Sequence, residues 1–286
     1  MSNSPLLVTG LHEIAAGHDA LICDVWGVLH NGVRVFDGAV DALKHFRAAF
    51  GPVVLLSNAP RPPSALLEQF AKLGVPKDCY DVIVTSGGAA RADLTARAGN
   101  GRLPIYHLGP ERDRGVFDGL PVDCVEPENA SVVLCTGLFD DEAETPDDYQ
   151  DLLAALKARG LVFLCANPDI VVQRGPLLVY CAGALARAYE KIGGDVVYYG
   201  KPHPPIYQAV LAAARDAAGH DIVRPLAIGD GLETDIRGAN AMGYDTLFIA
   251  DGIHGEEIGE VTDASLARLF GKTDLKVQAA LHRLVW

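Results

Sequence analysis

Four stretches of this chain end an apolar run on residues able to do chemistry. Ala20-Leu21-Ile22-Cys23 delivers Asp24 into the turn Val25-Trp26-Gly27-Val28-Leu29. Val53 to Leu56 delivers Ser57-Asn58, and Val196 to Tyr199 delivers Gly200-Lys201-Pro202. Leu226 to Ile228 delivers Gly229-Asp230-Gly231, with Thr234-Asp235 just behind. A strand that stops on a polar residue beside Gly, Asn or Pro fits a parallel sheet whose loops gather at one edge. At such an edge a carboxylate can act as nucleophile or metal ligand. A carboxylate, a hydroxyl, a lysine and an acidic pair together suit a phosphate and a divalent cation. Lys201 would supply fixed positive charge, while Ser57 and backbone N–H groups would bind phosphoryl oxygens. Asp24 and Asp230 would give hard oxygen ligands for Mg²⁺.

The elements that must position these residues alternate along the chain. Strand patterns fall at 20–24, 53–57, 81–85, 104–108, 131–137, 161–166, 195–199, 225–229 and 245–249. Helical patterns fall at 39–49, 63–73, 87–98, 147–159, 181–192, 204–218 and 233–242. This alternation predicts an α/β fold with parallel sheets and helical crossovers. The motifs lie outside residues 87–193, which carry none of the proposed phosphate chemistry. Glycine pairs stand near both edges of that stretch, at Gly87-Gly88 and Gly193-Gly194. The predicted organisation is therefore a core of 1–86 and 194–286, with 87–193 inserted as an α/β cap hinged at the glycines. In the insert, Asn167-Pro168-Asp169 should sit at a strand end, where Asn and Asp side chains suit sugar hydroxyls. Gly175-Pro176 and Cys181-Ala182-Gly183 flank the return to the core.

The motifs DVWGVL, LLSNAP, ANPD, YGKPHP and GDGLETDIRGANAMG, spanning residues 24 to 243, together resemble the haloacid dehalogenase superfamily. Within it the resemblance is to the class IIA sugar-phosphate and nitrophenyl-phosphate phosphatases. It implies a Rossmann-like core, a parallel sheet with helices on both faces, and an inserted α/β cap that selects the substrate. It implies that Asp24 is the nucleophile and passes through an aspartyl-phosphate. Asp24, the backbone carbonyl of Trp26 and Asp230 would hold Mg²⁺, with Asp235 orienting metal-bound water. Ser57, Asn58 and Lys201 would hold the phosphoryl group; Asn167 and Asp169 are substrate-contact candidates from their place at a strand end alone. The resemblance also allows a homodimer formed through the cap.

Trp26 departs from the family pattern Asp-x-Asp, whose second Asp protonates the leaving oxygen and later activates water. Metal binding should survive, because residue 26 contributes a main-chain carbonyl. Acid–base help should not, and positioned proton transfer is worth about 10²–10⁴-fold. Slow turnover of alkyl phosphates is expected, with activated esters or acyl phosphates favoured. His30 and His203 are the nearest residues in sequence that could substitute. Trp26 itself is either packing or a platform against substrate. Taken alone, Asp24 would be a turn residue and Asp235 a first-turn helix charge; the ordered set of motifs argues for chemistry.

The chain has 286 residues, 49% hydrophobic and 21% charged, enough for one large domain or two smaller ones. Its net charge of -13 with no basic run argues against nucleic acid as the main partner. The six cysteines show no C-x-x-C spacing, so buried thiols are expected and a zinc site is not. No apolar run approaches 18 residues, and Met1 to Gly10 lacks a basic segment with an apolar core. A soluble cytoplasmic protein with a small phosphorylated partner is expected. Mg²⁺-dependent phosphohydrolysis ranks first. A non-catalytic binder of phosphorylated ligands and altered C–P or C–halogen chemistry are the alternatives.

Overall fold

Every residue of the strands Ala20–Asp24, Val53–Ser57 and Pro225–Gly229 is buried, as expected of parallel strands covered on both faces. The computed structural model describes residues 5–174 and 177–286. Met1 to Ser4 and the Gly175-Pro176 pair lie outside the described residues. Contacts divide the chain into two units. One comprises Met1–Ser57, Leu67–Val84 and Pro204–Trp286; the other comprises Asn58–Leu66 and Thr85–His203.

The first unit is built on a seven-stranded sheet. Its spatial order is Leu6–Leu7, Ala279–Leu281, Asp245–Ile249, Pro225–Gly229, Ala20–Asp24, Val53–Ser57 and Val82–Thr85. Ala20–Asp24 pairs in parallel with Val53–Ser57 on one side, Asp24 opposite Leu56, and with Pro225–Gly229 on the other, Cys23 opposite Ile228. The chain leaves this strand toward one edge of the sheet and later returns on its other side. That is the topological switch at which α/β sheets hold ligands beyond their carboxyl ends. The helix Asp37–Ala49 buries Ala39, Ala42, Leu43 and Phe46, one stripe at helical spacing. Thr262 forms a capping box with Ser265 to start the helix Asp263–Phe270.

The second unit holds a five-stranded parallel sheet in the order Val196–Tyr198, Val162–Cys165, Val132–Cys135, Leu103–Leu108 and Val122–Cys124. A separate antiparallel hairpin joins Val171–Arg174 to Leu177–Tyr180. One core cluster gathers Leu153, Leu156, Phe163, Leu185 and Tyr189. Another gathers Leu94, Ile105, Val116, Leu134 and Leu164. Contacts group 58–66, 85–86 and 194–203 with this unit, whereas the expected boundaries at the glycine pairs place all three in the core. The physical reason is that Val196–Tyr198 is an edge strand of the five-stranded sheet, and that the 58–61 segment is bonded to residues of the same unit. Gly87 and Gly88 lie in the first turn of the helix Ser86–Ala98, with Gly87 N–H donating to the Ala59 carbonyl. Gly193 and Gly194 close the turn after Ala182–Lys191 by bonds to the Glu190 and Tyr189 carbonyls. Both pairs are hydrogen-bonded within one unit.

Among the described residues no helix is long and apolar enough to cross a membrane. No disulfide joins the six cysteines, and five of them are buried while Cys124 is exposed.

Candidate active site

Asp24, Asp230 and Asp235 come together in the first unit. One carboxylate oxygen from each lies within 4.8 Å of the others, and all three residues are buried. The adjacent strands Ala20–Asp24 and Pro225–Gly229 bring Asp24 and Asp230 to the same sheet edge. The π-type turn Leu232–Ile236 then carries Asp235 back toward it. Asp235 is held by its own loop: its Oδ2 accepts from Gly231 N–H (3.1 Å) and from the Thr234 hydroxyl (3.3 Å). Asp230 Oδ2 accepts from Ile253 N–H at 2.8 Å.

Three carboxylates this close, at 6–7% exposure, repel one another unless a proton or cation is shared among them. Their oxygens are hard donors that suit Mg²⁺, and no thiol or imidazole belongs to the cluster. These residues fit a divalent cation.

The turn after Asp24 is closed by Gly27 N–H to the His30 carbonyl (2.9 Å) and by Leu29 and His30 N–H to the Val25 carbonyl (2.9 and 3.2 Å). Trp26 is half-buried there. Its ring lies edge-on to His30 at 5.4 Å and rests on Gly32, where an added Cβ would approach its Cη2 to 2.4 Å. Packing is therefore one established use of Trp26. His30 stands between Trp26 and Phe70, edge-on to both. Its Nδ1 accepts from Gly32 N–H at 3.0 Å, and burial pushes its pKa down to about 4. At neutral pH this imidazole is uncharged and its acceptor nitrogen is in use, so it is poorly suited to replace a missing acid. Ser57 ends its strand buried, at 7% exposure.

The second unit brings together Asn58, Lys201, Asn167 and Asp169. Asn58 Nδ2 donates to Asp169 Oδ1 (2.8 Å) and to the Lys201 carbonyl (3.1 Å), while Asn58 Oδ1 accepts from Lys201 N–H (2.8 Å). Asn167 Oδ1 accepts from Asp169 N–H at 3.1 Å. Lys201 is buried at 4% exposure. His203 stacks flat on Tyr198 at 4.6 Å, and burial lowers its pKa.

Sequence reasoning missed what holds these groups. Thr234 and the Ile253 amide brace the carboxylates, and only a flanking hydroxyl and a Gly-containing loop hinted at them. Asp251 accepts from Arg283, and His254 Nε2 accepts weakly from Leu232 N–H at 3.5 Å.

Residues 21–122 match the family model of the haloacid dehalogenase-like hydrolases, and residues 198–268 match a second, HAD-hydrolase-like model. A solved hydrolase of the haloacid dehalogenase-like family from Brucella suis 1330 is 44% identical. It superposes with a TM-score of 0.85 over 98% of this chain and 100% of its own. The ribonucleotide monophosphatase NagD of Escherichia coli K12 is 29% identical over 239 residues, covering 82% of this chain and 88% of its own. The D-glycerol 3-phosphate phosphatase of Mycobacterium tuberculosis is 29% identical over 251 residues, covering 85% of this chain and 66% of its own. The chain belongs to the haloacid dehalogenase-like hydrolase family, among its class IIA phosphatases.

Proposed function

We propose that this protein is a Mg²⁺-dependent phosphohydrolase of a small phosphorylated metabolite, working through an aspartyl-phosphate on Asp24. The observation that carries this reading is the buried triad Asp24, Asp230 and Asp235, with ligand oxygens within 4.8 Å of one another. Asp24, Asp230 and the Trp26 carbonyl would hold the cation, and Asp235 would orient its water. When bound, the cation would neutralise phosphoryl charge and the repulsion among the carboxylates.

Asp24 attacks phosphorus in line, the P–O bond to the leaving group breaks, and water then cleaves the acyl phosphate. Lys201 supplies positive charge to the phosphoryl oxygens, and Ser57 donates a hydrogen bond. Trp26 has no proton to give, so the leaving oxygen departs without help from that position. Turnover is accordingly slower for alkyl than for aryl or acyl phosphates. Sugar phosphates, nucleoside monophosphates and glycerol phosphate form the substrate class to test first, since relatives are named for acting on such compounds.

A homodimer through the second unit belongs to the same reading, supported by the exposed Leu177, Leu178 and Tyr180 on its hairpin. A monomer by light scattering at micromolar concentration would remove that part.

The deciding experiment is phosphate release from p-nitrophenyl phosphate and a panel of metabolite esters, with and without Mg²⁺. Release that requires Mg²⁺ and disappears in Asp24→Asn supports the reading. Release that persists in Asp24→Asn overturns it.

A further inference from the structure

We propose that Asn58 is a positioning residue for Lys201, and that Asp169 sets the direction in which its amide points. This deepens the phosphatase reading and rests on it for what Lys201 does. Asn58 meets the lysine at both main-chain polar groups: Lys201 N–H donates to Oδ1 at 2.8 Å, and Nδ2 donates to the Lys201 carbonyl at 3.1 Å. The other Nδ2 proton goes to Asp169 Oδ1 at 2.8 Å. An ionised carboxylate only accepts, so Asp169 selects one of the two ways the amide can face. Flipped, Oδ1 would face both the Asp169 carboxylate and the Lys201 carbonyl, acceptor against acceptor.

Gly200 shows how closely the loop rests on this amide. Its φ is +130°, and an added Cβ would lie 2.5 Å from Asn58 Oδ1, 2.7 Å from Ser86 Oγ and 3.0 Å from Pro168 Cδ. Any side chain there would lift Lys201 off Asn58. Asp169 is itself fixed, since its N–H donates to Asn167 Oδ1 and its carbonyl accepts from Gly183 N–H. The Asn167-Pro168-Asp169 turn therefore acts on the lysine loop through one amide. A lysine ammonium sits at the end of four methylenes, so a small tilt of its backbone becomes a large displacement of charge. Charge misplaced by about 1 Å can cost about 10²-fold in rate.

The test is a donor–acceptor exchange, read by p-nitrophenyl phosphate turnover with Mg²⁺ and by hydrogen exchange at the Lys201 amide. Asn58→Asp sets two carboxylates face to face. It should lose about 100-fold in kcat/KM and speed exchange at Lys201. Asp169→Asn should lose about tenfold. The Asn58→Asp/Asp169→Asn double variant again pairs a donor with an acceptor, and should recover about tenfold over Asn58→Asp with slower exchange. In a Lys201→Met background, Asn58→Asp should cost less than about threefold, because the group it positions is gone.

Recovery in the double variant of both readouts establishes the positioning. A double variant no better than Asn58→Asp, or an Asn58→Asp cost that is the same with and without Lys201, overturns it. Wild-type turnover that survives Asp24→Asn would instead remove the phosphatase reading. The exchange readout would still decide whether Asn58 and Asp169 hold Lys201.

Discussion

Gly27 lies directly against the Asp230 carboxylate: a Cβ added at 27 would stand 2.2 Å from Asp230 Oδ2. The turn that follows Asp24 is thus packed on the loop that supplies the second acid. Gly27 also has a φ of +85°, a region that costs an L-residue roughly 1–2 kcal/mol. Gly27→Ala should displace Asp230 before it unfolds the protein. The expected result is at least about a tenfold fall in kcat/KM with a raised Mg²⁺ requirement. An unchanged Mg²⁺ titration in a folded Gly27→Ala variant would show that this contact does not shape the metal site.

Neutralising one member of the carboxylate cluster should have opposite effects with and without cation. Without Mg²⁺, Asp230→Asn relieves repulsion among three buried groups and should raise the melting temperature. With saturating Mg²⁺ the wild type gains stability by mass action, about 2.7 kcal/mol at a hundredfold excess over Kd, and the variant should gain little. Thermal melts with a Mg²⁺ series check both signs. An equal Mg²⁺-dependent shift in the two proteins would place the ion elsewhere.

The parallel core was legible because its strands are apolar runs that end on punctuating residues, as at Asp24, Ser57 and Gly229. The whole ordered set of nine expected strand segments has a counterpart within a few residues. The C-terminal stretch was not. Asp263–Phe270 is only two turns long, and Ala279–Leu281 is a three-residue strand whose place comes from pairing with Asp245–Ile249. The antiparallel hairpin was unread for the same reason, since four-residue strands carry little periodicity. At the site, the identity of Asp24, Asp230 and Asp235 could be read from motif order, but their support could not. The family resemblance places Asn58 at the phosphoryl group, and the fold adds side-chain bonds from it to Lys201 and Asp169. Nothing in the spacing of residues 58, 169 and 201 announces those bonds, because they are made by the fold.

Trp26 offers a test by leaving group. Trp26→Phe keeps an aromatic ring over Gly32 and beside His30 and should leave all rates within about threefold, since no proton donor is gained or lost. Trp26→Asp introduces a carboxyl two residues after Asp24. It should accelerate alkyl phosphates by about 10²-fold while changing p-nitrophenyl phosphate, which leaves without a proton, by far less. Stability should fall by about 2 kcal/mol, below the 3–5 of a fully buried Trp truncation, because Trp26 is half-buried. Equal gains on both ester types, or none in a folded variant, would mean that proton transfer at this position is not what limits turnover.

His107 gives the second unit a defined acid sensitivity. The ring is buried at 7% exposure, with Nε2 at 2.9 Å from the Thr136 hydroxyl and its edge against Phe117 at 5.2 Å. Burial, helped by the nearby Arg114 charge, pushes its pKa down to about 4, against about 6.5 in an unfolded chain. The unfolded state therefore takes up a proton first as pH falls, and stability drops through the window from 6.5 to 4. It is fully present above that window. By linkage the loss attributable to this one group reaches about 2 kcal/mol at pH 5. His107→Gln keeps a group able to bond Thr136 but does not titrate. Urea unfolding of both proteins at pH 7 and pH 5 should show the wild type losing about 2 kcal/mol more than the variant over that interval. Parallel losses in the two proteins would assign the acid sensitivity to other buried groups, with His30 first among them because burial lowers its pKa to the same value.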